Sequence, residues 1–224
     1  MSRWVRIESL RTIRTVRGVL VLALLGCAFV SQARGQSAPP RAPADSSPAK
    51  PAGRLIAIDD THILLPDIEV LNQEGKRVRF YSDLVKDKIV ILSFFYSSCV
   101  NVCISLGESL SKAQASLGAR LGKEVFFISV SMDPRTDTPP KLKYWWRAFG
   151  ARPGWTLVAS DTPEMNKMLT GFTGNSPGPK DMHSAFVFIG NDRTGAWKTV
   201  NGLLDAPSLI QLIETVDDAA GEAK

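Results

Sequence analysis

Cysteine and histidine are scarce in this chain: three of the first and two of the second in 224 residues. So few cysteines exclude a disulfide-stapled scaffold, which needs several bridges. Any metal site must then draw its sulfur and imidazole ligands from Cys27, Cys99, Cys103, His62 and His183. No Arg-Arg pair stands near the N-terminus, which leaves a twin-arginine export route without support. Net charge is low as well. Five of the 27 basic residues and one of the 22 acids fall within residues 1–33, leaving 22 bases against 21 acids and no footprint for nucleic acid. No internal repeat is visible.

What the N-terminus does contain is ordered by charge. Arg3, Arg6, Arg11, Arg14 and Arg17 precede the apolar run GVLVLALLGCAFV. A basic stretch followed by an apolar block of this length reads as an export signal, so residues 1–33 are expected to be a signal peptide or signal anchor. The uncharged window, residues 18–33, falls short of the ~20 residues that span a bilayer comfortably. Ser31-Gln32-Ala33 offers a cleavage site, and Leu24-Leu25-Gly26-Cys27 loosely resembles a lipoprotein box whose cysteine would carry lipid. A mitochondrial presequence fits less well, because the arginines stop before a compact apolar block. Residues 34–54, RGQSAPPRAPADSSPAKPAGR, are dominated by Pro, Ala and Ser without hydrophobic periodicity and read as a tether. Residues 55–218 form one domain of ordinary size, and 219–224 a C-terminal tail.

Within that domain, LLPDIEVLNQEGKRVRF alternates apolar and polar residues around the Asn72–Gly75 turn, as a hairpin does. A continuous apolar strand is expected from Lys88 to Phe95, buried on both faces. Val102, Leu106, Leu110, Ala113 and Leu117 recur at helical spacing before Gly118. KEVFFISVSM is a second buried strand. Thr138 caps a helix that runs to Gly150 through two prolines. GWTLVAS is a short strand, a helix starts at Pro163 and runs through Leu169, SAFVFIG and AWKTVN are paired strands, and APSLIQLIETVDD is a final amphipathic helix. Strands alternating with helices predict an α/β domain of thioredoxin-like outline, with a central mixed sheet flanked by helices and an N-terminal β-hairpin.

The chemistry concentrates in residues 91–110, ILSFFYSSCVNVCISLGESL, where an apolar strand passes through two serines into two cysteines and a helix. Loops at the carboxyl edge of such a sheet tend to carry sites. With Ser97 or Ser98 capping, Cys99 would open the helix, where the positive terminus favours its thiolate. Cys103, four residues on, would return to nearly the same face. The pair reads as two buried core cysteines, a disulfide, a peroxide-reactive thiol or half of a metal site. A peroxidase should show an Arg near its reactive cysteine, and none is evident. Two thiolates with one imidazole suit copper, whereas structural zinc normally wants four ligands.

His183 follows the Gly/Pro-rich loop TGNSPGPKDM and precedes a buried strand. A lone histidine there often just finds a local partner, but its loop position gives it a site role. His62 reads as surface, and Trp145, Trp146 and Trp155 as core rather than a ligand platform.

FFYSSCVNVC, VSMDPRTDTPPKLK and DMHSAFVFIG, in this order, resemble the Sco/SenC family of membrane-linked, thioredoxin-like copper proteins that help assemble the copper centre of cytochrome oxidases. The resemblance implies copper ligands at Cys99, Cys103 and His183, with Asp133 and Pro134 on the neighbouring loop. It implies a function in delivering copper to a cytochrome oxidase copper-binding subunit, or in assembling it, in the periplasm. A thiol-disulfide reductase partner would keep the cysteines reduced, and the N-terminal segment or a lipid on Cys27 would attach the protein to a membrane. Family members usually carry a proline after each cysteine and an acid within the motif; Val100, Asn101 and Ile104 stand there instead. The alternative is a thiol-disulfide oxidoreductase acting on cysteines of a copper-protein partner, with Cys99 and Cys103 as its redox-active, catalytic pair: Cys99 attacking and Cys103 resolving.

Overall fold

The structure, a computed structural model, describes residues 53–58, 61–173 and 185–218. The leader, most of the tether, the C-terminal tail and His183 lie outside the described residues. Nine strands and four helices are described: β1 (Gly53–Ile58), β2 (Thr61–Pro66), β3 (Glu69–Asn72), β4 (Arg77–Arg79), β5 (Ile89–Phe95), α1 (Val102–Leu117), β6 (Val125–Ser131), α2 (Pro139–Ala148), β7 (Trp155–Ala159), α3 (Pro163–Thr173), β8 (Phe186–Asn191), β9 (Ala196–Asn201) and α4 (Ala206–Asp218).

Seven strands form one mixed sheet in the order β4-β3-β7-β6-β5-β8-β9. β5, β6 and β7 run parallel, because α1 and α2 carry the chain back across one face between them. β8 joins β5 antiparallel, β9 follows β8 as a hairpin, and β3 joins β7 antiparallel on the other side. This is the mixed sheet flanked by helices that the alternating pattern predicts.

β5 is an interior strand between β6 and β8, and all seven of its residues are buried. Its side chains alternate between two cores, as the period of two requires. Ile89, Ile91 and Phe95 enter the core shared with α1, α2 and α4. Val90, Leu92 and Phe94 enter the opposite core, closed by α3 and by β1 and β2. Ser93 is the one polar residue in the strand. Its hydroxyl meets that of Ser129 at 2.8 Å, and Trp155 Nε1 donates to Ser129 at 3.0 Å, so the buried polar atoms satisfy one another.

Four details depart from the sequence reading. The alternation read as one hairpin divides at Pro66: Leu64 and Leu65 belong to a separate two-stranded ribbon, β1 with β2, and the hairpin is β3 with β4. Only packing reveals the ribbon, since its Ile56, Ile58, Ile63 and Leu65 are apolar in order to cover the second core. Phe80–Val85 forms a wide helical turn that delivers Phe80 and Val85 to the same core. α3 continues past Leu169 to Thr173, with Phe172 tilted against Phe94 and Phe188. β5 begins at Ile89, one residue later than expected.

α1 ends at Gly118, whose φ of 53° suits a glycine at a helix C-terminus. At that end Arg120 reaches Glu214 at 2.6 Å and Asp217 at 3.1 Å on α4, fixing the two helices together. Among the described residues no helix is long and apolar enough to cross a membrane.

Candidate metal centre

The carboxyl ends of β5 and β6 lie side by side, Phe95 paired with Ser131, and the register continues one step as Met132 N–H donates to Phe95 O at 2.8 Å. Beyond this point the two chains separate into the cysteine loop and the loop leading to α2. In the first, Cys99 N–H donates to Tyr96 O at 3.0 Å, closing a turn over the two serines. α1 then begins at Val102 with Asn101 as its cap residue.

Cys99 therefore stands before the helix rather than opening it, and neither serine caps α1. The expected serine cap fails because Ser97 has a stronger partner: its N–H and O–H both donate to the carboxylate of Asp137. The Cys99 sulfur takes the capping place, accepting the N–H of Cys103 at 3.3 Å, a charge-favourable position at a helix N-terminus.

The helical spacing does bring the two sulfurs together. Cys99 and Cys103 are disulfide-bonded, with Cα atoms 5.9 Å apart. Both are buried, at 8 % and 4 % exposure, in the core that also holds Phe95, Leu106 and Trp145. Burial and bonding thus coexist; the pair is a disulfide set in an apolar wall. Its exposed neighbours are mixed, Ser98 and Asn101 polar and Val100 and Ile104 apolar. Val100 is 76 % exposed and Ile104 is also exposed, in the places where proline or acid was the comparison pattern.

Asp133 and Pro134 lie on the neighbouring loop as expected. Asp133 O accepts the N–H groups of Thr136 and Asp137 at 3.0 and 2.9 Å, and Asp133 N–H donates to Ser131 Oγ at 3.0 Å. This tight turn carries Asp137 back to the strand ends, where Ser131 Oγ donates to it at 2.6 Å. On the outer side Arg135 donates to Asp161 at 2.8 Å, which holds the Asp161 carboxyl below its ordinary value. Asp137 escaped the sequence reading. The sequence marks it only as an acid after a buried strand and an Asp-Pro turn; which donors meet it is decided by the fold.

His183 lies outside the described residues, so its relation to the cysteines is not part of this geometry. His62 is exposed on β2, beside α3, in a groove of about 540 Å³ with Glu164 and Lys167. Trp145 and Trp155 are buried, and Trp146 packs half-buried against the same core, donating from Nε1 to Trp155 O at 2.8 Å. Among the described residues no three His, Cys, Asp or Glu side chains are grouped to hold a metal ion. The two cysteines can supply two soft thiolates once reduced, and any third ligand would come from outside this pair.

Comparison with known proteins places this arrangement. A SCO2-like protein of Rickettsia conorii is 24 % identical over 169 residues, which cover 75 % of this chain and 73 % of that protein. The fold is shared with BsSco, a member of the Sco family of cytochrome c oxidase assembly proteins in which a disulfide switch has been identified. That structure is 22 % identical, covers 71 % of this chain and 94 % of its own, and has a TM-score of 0.58. It is shared also with copper-bound ScoI of Arabidopsis thaliana, at 20 % identity, 67 % and 96 % coverage and a TM-score of 0.52. The SCO1/SenC profile matches residues 59–216, spanning the sheet, the cysteine loop and α4 alike. With a match running through nearly all of the folded domain, the chain belongs to the SCO1/SenC family.

Proposed function

We propose that the chain is an exported copper-binding protein that delivers copper to, or helps assemble, the copper centre of a respiratory cytochrome oxidase. The observation that carries this reading is the convergence of Cys99 and Cys103 at the carboxyl edge of the sheet, sulfur against sulfur. Such a pair, reduced, is a soft two-thiolate chelate, and His183 is the imidazole that would complete it. A protein of the same fold with copper bound, ScoI of Arabidopsis thaliana, supports copper as the metal.

The disulfide form cannot bind the ion. Two electrons and two protons from a dithiol partner convert the Cys99–Cys103 bond to two thiols, and the partner leaves as its own disulfide. Copper then displaces the thiol protons, so loading is coupled to reduction and to pH. Both partners follow from this cycle: a thiol-disulfide reductase upstream and the copper-binding subunit of the oxidase downstream. The N-terminal 33 residues would direct the domain to the periplasm and, if retained or lipidated at Cys27, hold it at the membrane.

The bonded state of the pair favours a second reading, a periplasmic thiol-disulfide oxidoreductase acting on the cysteines of a copper-protein partner. Cys99, the more exposed of the two, would attack and Cys103 would resolve. Metal analysis of the reduced 224-residue chain after copper loading separates the two readings. One copper per chain, lost in Cys99→Ser and in Cys103→Ser, is expected for the carrier. Disulfide-reductase turnover abolished by Cys99→Ser, with no copper retained by the unsubstituted chain, would overturn it.

A further inference from the structure

Asp137 is enclosed to 1 % exposure, and among the described residues the hydrogen bonds of its carboxylate lead to the cysteine loop and to the end of the strand beside it. Ser97 N–H donates to Oδ1 at 3.2 Å and to Oδ2 at 3.1 Å, Ser97 O–H donates to Oδ1, and Ser131 O–H donates to Oδ2 at 2.6 Å. These donors come from separate segments. Ser131 ends β6, whereas Ser97 lies inside the turn that Cys99 N–H closes on Tyr96 O. One side chain thus joins the cysteine turn, a central strand end and the loop that starts α2.

We propose that Asp137 is the positioning residue for Cys99. Through Ser97 it holds the turn of residues 96–99, so that the Cys99 sulfur stays beside the first turn of α1 and within reach of Cys103. The copper half of this proposal rests on the copper-binding reading; the thiol half does not.

The physical reason is effective concentration. Cys103 is fixed by α1, but Cys99 sits on irregular chain two residues before the cap. Without a tether that segment gains conformations, and each one that carries Cys99 away dilutes its sulfur at the other. Tying the turn favours the disulfide over the open dithiol, and two-sulfur chelation over one-sulfur binding, by the same factor. A buried carboxylate suits the task because hydrogen bonds to a charged acceptor are the strong ones.

The test uses the 224-residue chain with Asp137→Asn and Ser97→Ala. Asparagine keeps the shape but turns an NH2 group toward donors; alanine at Ser97 removes the hydroxyl and keeps the N–H. Three measurements are made. The first is the equilibrium with glutathione, in which two glutathione thiols become one glutathione disulfide while the Cys99–Cys103 bond takes up two electrons and two protons. The second is Cu(I) affinity of the reduced chain, by competition with a chromophoric chelator. The third is thermal unfolding.

Asp137→Asn is expected to shift the glutathione equilibrium about tenfold toward the dithiol and to weaken Cu(I) about tenfold, the low end for residues that orient metal ligands. Ser97→Ala should move both the same way by a smaller factor. A lower melting temperature with both equilibria unchanged would overturn the proposal, because a purely structural residue acts on folding and leaves the pair alone. If Asp137→Asn does not fold, Ser97→Ala decides: an unmoved glutathione equilibrium overturns positioning, and a shift toward the dithiol upholds it. If the unsubstituted chain takes no Cu(I) on its cysteine pair, the copper-binding reading fails, and the glutathione equilibrium still decides the role of Asp137.

Discussion

At the scale of single residues, the site depends on what each donor atom offers. Cys99 and Cys103 offer sulfur, which holds Cu(I) well by itself; His183 is the only nitrogen that the three-ligand proposal includes. Replacing His183 with Ala should therefore abolish Cu(II) binding and leave a weaker, measurable Cu(I) affinity, followed by the loss of the copper-thiolate absorption on oxidation. Unaltered Cu(II) binding in that variant would remove His183 from the ligand set. The exposed Val100 and Ile104 belong to the same scale. The two cysteines and their spacing were legible in the sequence because chemistry demands those residue types. Asp137 was not, because its role depends on which donors the fold places around it rather than on its own identity.

At the scale of elements, the joins between strands and helices impose the tightest demands. Gly190 on β8 lies against the indole of Trp197 on β9, and a methyl group there would overlap the ring. Gly190→Ala should cost about 1–3 kcal/mol, as overpacking in a filled core does, seen as a lower denaturant midpoint with an unchanged slope. The wide turn Phe80–Val85 is tied at Asp67, which accepts Ser82 O–H at 2.7 Å and Ser82 N–H at 3.0 Å and pairs with Arg79. Burial pushes the Asp67 carboxyl up, but these donors outweigh it and hold the group below its ordinary value. Its contribution is complete above the unfolded value of ~3.9 and disappears as pH falls through the lower folded value. The stability difference between the native chain and Asp67→Asn should accordingly be largest above about pH 4 and close toward pH 2, measured by unfolding in denaturant. A difference that stays constant over that range would show that the carboxylate is not the group responsible.

At the scale of the whole molecule, the two cores are expected to hold when the disulfide is reduced. The bridge closes a sequence separation of only four residues. In the chain-entropy account, so short a loop contributes about 2 kcal/mol. For a domain of this size that corresponds to a melting temperature about 4–8 °C lower on reduction, with the fold intact. Scanning calorimetry with and without a reductant checks this; unfolding on reduction at 25 °C would show that the cores do depend on the bridge. The order of strands and helices was legible from periodicity, since burial on two faces of β5 forces an unbroken apolar run and burial on one side of α1 forces its spacing of three and four. The family resemblance was legible too, from residues 94–103, 130–143 and 181–190. The ribbon of β1 and β2, the length of α3 and the starting point of α1 were settled only by tertiary contacts. An apolar residue states in sequence that it must be covered; it does not state by what. In the same way, Ser97 announces a donor near a helix, and only the folded chain, by bringing Asp137 back to the end of β6, decides that it serves the neighbouring loop instead.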